Sequence, residues 1–244
     1  MSVCDVVYII KFSNFMDQIL HNWRRLEERI ARAAELADRV PAEVEVVAIT
    51  KTRSAAAVEA AIRAGLRHVG ENKVQEAEAK KAGVDAAARW HFVGHLQTNK
   101  AGRAVTLFDL VQSVDSARLA TALDRRAAGA GRCLDILIQV NTSGVAQQHG
   151  ISSEELMPLA EEIAALSHLR LRGLMTIAED CEKASQVRSC FSRLRQLGER
   201  LAATRIEGVE VRYLSMGMSA DFELAIAEGA NLVRLGTAIF GPRD

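Results

Sequence analysis

The residue with most chemistry to offer is a lysine at a strand end. Residues 44–51 read Val-Glu-Val-Val-Ala-Ile-Thr-Lys, and Ala, Val and Ile then recur at helical spacing over 54–63. The pattern predicts a buried strand that stops at Lys51 and leads into a helix. In a barrel of parallel strands, that end is where active sites are built. A partly desolvated amine there is a nucleophile for carbonyls; the plainer expectation is a lysine reaching out to solvent.

Other polar and glycine residues fall at corresponding places. Gly70-Glu71-Asn72 follows the second expected strand, Gly94-His95-Leu96-Gln97-Thr98-Asn99-Lys100 the third, and Asn141-Thr142-Ser143-Gly144 the fifth. Met175-Thr176 follows the sixth and Ser215-Met216-Gly217-Met218-Ser219 the seventh; the eighth ends in Arg234-Leu235-Gly236-Thr237. Taken singly, each is ordinary turn or capping chemistry, with Ser219 a natural N-cap ahead of Asp221 and Glu223. Together, the last two turns carry the hydroxyls and glycines that bind phosphate in barrels. A phosphate site facing a strand-one lysine suggests a phosphorylated carbonyl compound held as a Schiff base, and pyridoxal 5′-phosphate fits both ends of that description. Arg234 is expected near the ring nitrogen, where a guanidinium disfavours a pyridinium and leaves a weak electron sink. That suits racemisation, or mere holding, better than transamination; a barrel-end salt bridge is the alternative role.

His91 and His95 are four apart, but across a strand and turn rather than on a helix, and no third ligand stands nearby, so no metal site is expected. His21, His68, His149 and His168 show no partners in the sequence.

The elements that must position these residues alternate. Strands are expected at 44–50, 67–70, 90–94, 107–111, 134–141, 169–175, 209–214 and 232–235. Helices are expected at 54–64, 73–82, 98–104, 116–129, 152–166, 181–204 and 220–228. About eight strand–helix units in 244 residues make an α/β (β/α)8 TIM barrel. A dinucleotide-binding open sheet would need a glycine-rich first turn, and Thr50-Lys51-Thr52-Arg53 has no glycine. An extra amphipathic helix over 17–40 precedes the barrel, with Ile19, Trp23, Leu26, Ile30, Ala33 and Ala37 on one face and Pro41 ending it. Residues 1–16 are expected to be a variable leader, 17–244 a single barrel domain, with no C-terminal β domain.

Lys+Arg and Asp+Glu both number 31, so nothing argues for nucleic acid or an anionic membrane. The Val-Val-Tyr-Ile-Ile run near the N-terminus is too short to span a bilayer and lacks a signal-peptide pattern. Cys4, Cys133, Cys181 and Cys190 lack metal-ligand spacing and read as free thiols in a reducing cytoplasm.

The motifs match a known family. Ala48-Ile49-Thr50-Lys51-Thr52, Gly70-Glu71-Asn72-Lys73-Val74-Gln75-Glu76, the run from Trp90 to Lys100, Arg172-Gly173-Leu174-Met175, Leu214-Ser215-Met216-Gly217-Met218-Ser219 and the run from Val233 to Gly241 occur in order over nearly all of the chain after Asp17. The chain resembles the pyridoxal phosphate homeostasis proteins (the YggS/PROSC group), which are similar to the barrel domain of alanine racemase. The resemblance implies that Lys51 carries pyridoxal phosphate (PLP) covalently as a Schiff base. It implies that Ser215, Gly236 and Thr237 hold the phosphate with the Met216–Gly217 backbone, that Arg234 faces the pyridine nitrogen, that Asn72 lies beside the ring and that His95 stands near the mouth. It further implies a cytoplasmic, largely monomeric protein that buffers PLP or delivers it to PLP-dependent client enzymes, without robust catalysis. Ser54 stands where the family usually has proline, and Val145 and Gln148 where it tends to have glutamate and lysine; the last change bears on cofactor transfer.

Two other functions compete. A PLP-dependent racemase needs acid/base groups on both faces of the α-carbon; the resemblance places the second one on a tyrosine of a separate domain, and here only Tyr8 and Tyr213 are present. A Schiff-base aldolase acting on a phosphosugar shares the lysine and the phosphate loops but does not predict Arg234.

Overall fold

The computed structural model describes residues 3–145, 147–178 and 183–242, with side chains from residue 16 onward. Eight parallel strands close into a barrel in sequence order: β1 (Glu45–Ile49), β2 (His68–Glu71), β3 (Arg89–Phe92), β4 (Leu110–Val114), β5 (Leu134–Gln139), β6 (Leu169–Met175), β7 (Val209–Ser215) and β8 (Leu232–Leu235). Closure is made by β8 against β1, with Val47 opposite Arg234 and Ala48 opposite Leu235. Helices alternate with the strands: α2 (Ala55–Arg63), α3 (Val74–Lys81), α4 (Ala101–Leu107), α5 (Ala117–Gly129), α6 (Leu156–Ala164), α7 (Ala184–Thr204), α8 (Phe222–Ala227) and α9 (Thr237–Phe240). The expected barrel and its extra N-terminal helix are therefore present.

Helix α1 runs Val3–Glu35 and packs against α2, α8 and α9 through a face that buries Ile19, Leu26, Ile30, Ala33 and Ala34. It begins upstream of the expected start at Asp17, because no Gly or Pro interrupts residues 3–35. It also stops before Pro41: Asp38 adopts a left-handed φ of 54°, and the Arg39 N–H returns to the Ala34 carbonyl. Cys4, Tyr8 and the other side chains of residues 1–15 lie outside the described residues, as does Cys181. Cys133 and Cys190 are free thiols.

The fourth strand is displaced. The strand expected at 107–111 is β4 at Leu110–Val114, and Leu107 closes α4 instead. The polar pair Gln112-Ser113 reads like a turn, yet both residues are fully buried. Most of the apolar core lies between sheet and helices, while Val47, Leu110, Leu137, Met175, Tyr213 and Leu232 form a separate cluster. Polar residues share the interior with this smaller cluster, and they shape the site.

Gly94, just past β3, lies against the backbone after β2. A Cβ built there would stand 2.2 Å from the Asn72 carbonyl oxygen, so only glycine fits. Gly94→Ala is expected to cost about 1–3 kcal/mol through overpacking, read as a lower urea midpoint at constant m-value. An unchanged midpoint would mean that this strand end shifts freely.

Candidate functional site

Lys51 follows β1 on a tight turn closed by the Arg53 N–H to the Thr50 carbonyl, 2.9 Å, with Thr52 at a left-handed φ of 65°. Acids from β2 and α3 hold the turn. The Thr50 hydroxyl donates to Glu71 Oε1 at 2.5 Å, and the Thr52 N–H to Glu76 Oε2 at 3.0 Å. Behind them Lys80 Nζ reaches the Thr50 carbonyl at 2.7 Å, Glu71 Oε1 at 2.6 Å and Glu76 Oε2 at 3.5 Å. Burial pushes the Glu71 carboxyl up, against the opposing pull of Lys80 and Thr50. The Thr52 N–H bond holds Glu76 below the usual carboxylate range. On the far side of the turn, Ser54 caps α2 by accepting the Ala57 N–H.

Lys51 lines a cavity of about 580 Å³ at this end of the barrel, together with Asn72, Ser219, Arg234, Gly236 and Thr237. Ile49, Val93 and Leu224 contribute apolar wall. A second cavity, about 520 Å³, lies among Arg89, Arg132, Arg170, Asp109 and Asp135. There the charges are committed to one another, with Arg89–Asp135 at 2.5 Å and Arg170–Asp135 at 2.9 Å, as suits structure rather than chemistry.

The two serines of the turn after β7 have distinct places. Ser215 is fully buried and does not line the cavity; its hydroxyl is held between Gln112 and Arg234. Ser219 does line it, and its hydroxyl accepts the N–H groups of Gly236 and Ala238, both at 3.3 Å. Ser219 is not the N-cap of α8 expected from its position: Asp221 occupies that place and accepts the Met218 N–H. Met216 is buried in the core. Gly217, at φ +92° with Ala225 Cβ 2.5 Å from where its own Cβ would be, carries the turn past α8 and gives its carbonyl to the Arg234 N–H. His95 is away from the cavity lining, beside Asp115.

Arg234 heads a chain of hydrogen bonds that runs through the barrel interior. Its Nη2 donates to the Thr176 carbonyl and its Nη1 to Ser215 Oγ, both at 2.7 Å. Ser215 then has its own proton for Gln112 Oε1 at 2.6 Å, which turns the Gln112 amide nitrogen toward His91 Nδ1 at 2.8 Å. Burial holds His91 well below the ordinary imidazole pKa, aided by the charge of Arg89. The neutral ring therefore carries its proton on Nε2 and donates to His68 Nδ1 at 2.9 Å; His68 Nε2 completes the chain on Glu45, 3.0 Å away. Every link points the same way, from a guanidinium to a carboxylate. Burial lowers Arg234 to about 10, which still leaves it charged at neutral pH, and the His68 bond is the main cause that keeps Glu45 below its usual range. Gln112 and Lys80 carry no local motif, and the motifs that contain Glu71 and Thr176 do not mark these two residues. Their one sequence signal is a polar residue inside an otherwise apolar strand or helix face.

Comparison with known proteins now bears on this site. The family model described as alanine racemase, N-terminal domain, matches residues 16–244. A pyridoxal phosphate homeostasis protein of Pseudomonas aeruginosa is 43% identical over 94% of this chain and 97% of its own. The chain belongs to the pyridoxal phosphate homeostasis protein family. Among solved structures, a protein of Bifidobacterium adolescentis described as unknown superposes with a TM-score of 0.89 at 38% identity, over 93% of this chain and 96% of that one. PipY of Synechococcus elongatus, solved with PLP bound, does so with a TM-score of 0.77 at 39% identity, over 87% and 100%. In the loop after β5, Ser143 Oγ is within hydrogen-bond distance of Asn141 Oδ1 and Gln148 Oε1, and the Val145 N–H returns to Ser143 Oγ.

The clamp beneath the Lys51 turn can be tested by removing one partner. Lys80→Met leaves the buried Glu71 uncompensated and is expected to cost about 3–5 kcal/mol in urea unfolding. The double variant Lys80→Met/Glu71→Leu is expected to recover most of that loss. Equal instability in both variants would mean that packing, not charge pairing, makes Lys80 important.

Proposed function

We propose that the protein holds PLP at the C-terminal mouth of the barrel, covalently through Lys51, and serves as a PLP carrier rather than as an enzyme with robust turnover. The observation that carries this reading is the convergence, in one cavity, of an amine, a buried guanidinium and a hydroxyl–amide cluster, in a relative of a protein solved with PLP. The donor set fits the group. Among the described lining residues Lys51 and Arg234 are cationic and Asp221 is the one carboxylate, which favours an anionic ligand.

When bound, PLP supplies an electrophilic aldehyde. Lys51 Nζ is its covalent anchor, and the clamped turn fixes where that amine stands. Thr237, Ser219 and the Gly236 and Ala238 N–H groups bind phosphate, with Ser219 yielding the two amides it now accepts. Ser215, expected as a direct phosphate ligand, instead positions Arg234. Arg234 presents a donor to the pyridine nitrogen and keeps it unprotonated, while Asn72 borders the ring. The protein acts as a cytoplasmic monomer passing PLP to client enzymes; among the described residues no helix is long and apolar enough to cross a membrane.

Reduction of PLP-loaded protein with borohydride, followed by peptide mapping, is expected to place a pyridoxyl group on Lys51; Lys51→Ala is expected to lose the label and keep its fold. A label at another lysine would overturn the assignment, and brisk alanine racemisation by the same sample would make the protein an enzyme. Thr237→Val is expected to weaken PLP retention by about 1 kcal/mol, one neutral hydrogen bond, in a dialysis or fluorescence titration. Unchanged affinity would remove Thr237 from the phosphate site.

A further inference from the structure

The mouth carries a second group of converging side chains. His95 follows β3, Asp115 follows β4, and His149 lies in the loop after β5. One ligand atom from each lies within 4.8 Å of the others. His95 Nδ1 is 3.4 Å from Asp115 Oδ2, and the two imidazoles stack with centroids 4.1 Å apart and planes 11° from parallel. Around a tetrahedral zinc ion with bonds of about 2.0–2.1 Å, neighbouring ligand atoms stand roughly 3.3 Å apart. The His95–Asp115 pair already has this spacing.

The three backbones are fixed independently. Gly94 pins the start of the His95 loop on Asn72. Asp115 directly precedes Ser116, which caps α5 through the Leu119 N–H. The His149 carbonyl accepts from the buried Gln139 side chain at 3.0 Å, and the Ile151 N–H returns to the Gln139 carbonyl. Gly150, at φ +119°, turns the chain between these two anchors. Among the described residues, the His149 ring nitrogens take part in no other hydrogen bond or ion pair.

We propose that His95, Asp115 and His149 bind one divalent first-row transition-metal ion, with water completing its coordination. Two imidazoles and one carboxylate suit zinc or cobalt and leave an open position. Imidazole lone pairs lie in the ring plane, so binding tilts the rings out of their stack. The site lies off the lining of the cavity assigned to PLP and does not depend on that assignment.

The test is titration of full-length, reduced protein with Co²⁺ and with Zn²⁺, above the ordinary imidazole pKa of about 6.5, followed by calorimetry and by the visible cobalt spectrum. One ion per chain is expected, with d–d bands and no thiolate charge-transfer band. His149→Ala and Asp115→Asn are each expected to weaken binding by at least about tenfold, while circular dichroism reports the fold. Absence of saturable binding, affinity unchanged from the unsubstituted protein in either variant, or a thiolate band assigning the ion to a cysteine would each overturn the site.

Discussion

The buried ammonium of Lys80 is the contact on which the amine side of the site depends. Its three acceptors come from three places: the Thr50 carbonyl past β1, Glu71 at the end of β2 and Glu76 in α3. Thr50 and Glu71 are fully buried, so neither the carbonyl nor the carboxylate has water to turn to. All of the Glu71 bonds fall on Oε1, leaving Oε2 without a protein partner among the described residues. A buried pair of this kind contributes little net stability over apolar residues of the same size. Its value lies in position, since it leaves the Thr50–Arg53 turn one low-energy arrangement and so fixes where Lys51 leaves the backbone.

The opposite wall works by the same logic over a longer path. Arg234 is 95% buried, being 5% exposed, and a desolvated guanidinium needs acceptors in fixed places. Thr176 and Ser215 supply them, and Gln112, His91 and His68 relay the polarity to Glu45. Because each donor in the chain is used by the next acceptor, reversing one link would leave two groups facing like with like. The chain therefore specifies the hydrogen positions at Ser215 and His91 as well as the heavy atoms, and it holds Arg234 from behind while leaving it on the cavity wall.

The barrel was legible because its strands are apolar runs separated by helical spacing, a signal that survives errors at the ends. It failed where the interior is polar. Gln112 and Ser113 ended the expected fourth strand early, although they are buried within it, because a hydrogen-bonded polar interior has no hydropathy signature. Lys51, Arg234, Gly236 and Thr237 could be placed at the mouth because each sits at a strand end, and strand ends converge in a barrel. The roles of Ser215 and Ser219 could not be separated by position alone. Alternation along β7 sends Ser215 inward with Tyr213, while the turn at Gly217 carries Ser219 round to the cavity. His95 was compared with His91 because they are close in sequence, but its neighbours come from the ends of two other strands.

Few groups on the described cavity wall can exchange a proton. Moving a proton at a carbon bound in this site needs groups on both faces, each free to give and take it. Of the described lining residues only Lys51, Asp221 and Arg234 are ionisable. Arg234 stays charged near neutrality, which makes it a poor proton shuttle, and Ser215 and Thr176 hold it in place. Asp221 also accepts the Met218 N–H at the start of α8. Tyr213, the tyrosine nearest in the chain to these loops, is buried off the cavity lining and hydrogen-bonded to Glu45 and Arg89; burial pushes its hydroxyl above the usual phenol range. An amine in this place can bind and release a carbonyl ligand, which is the chemistry the proposed carrier role requires.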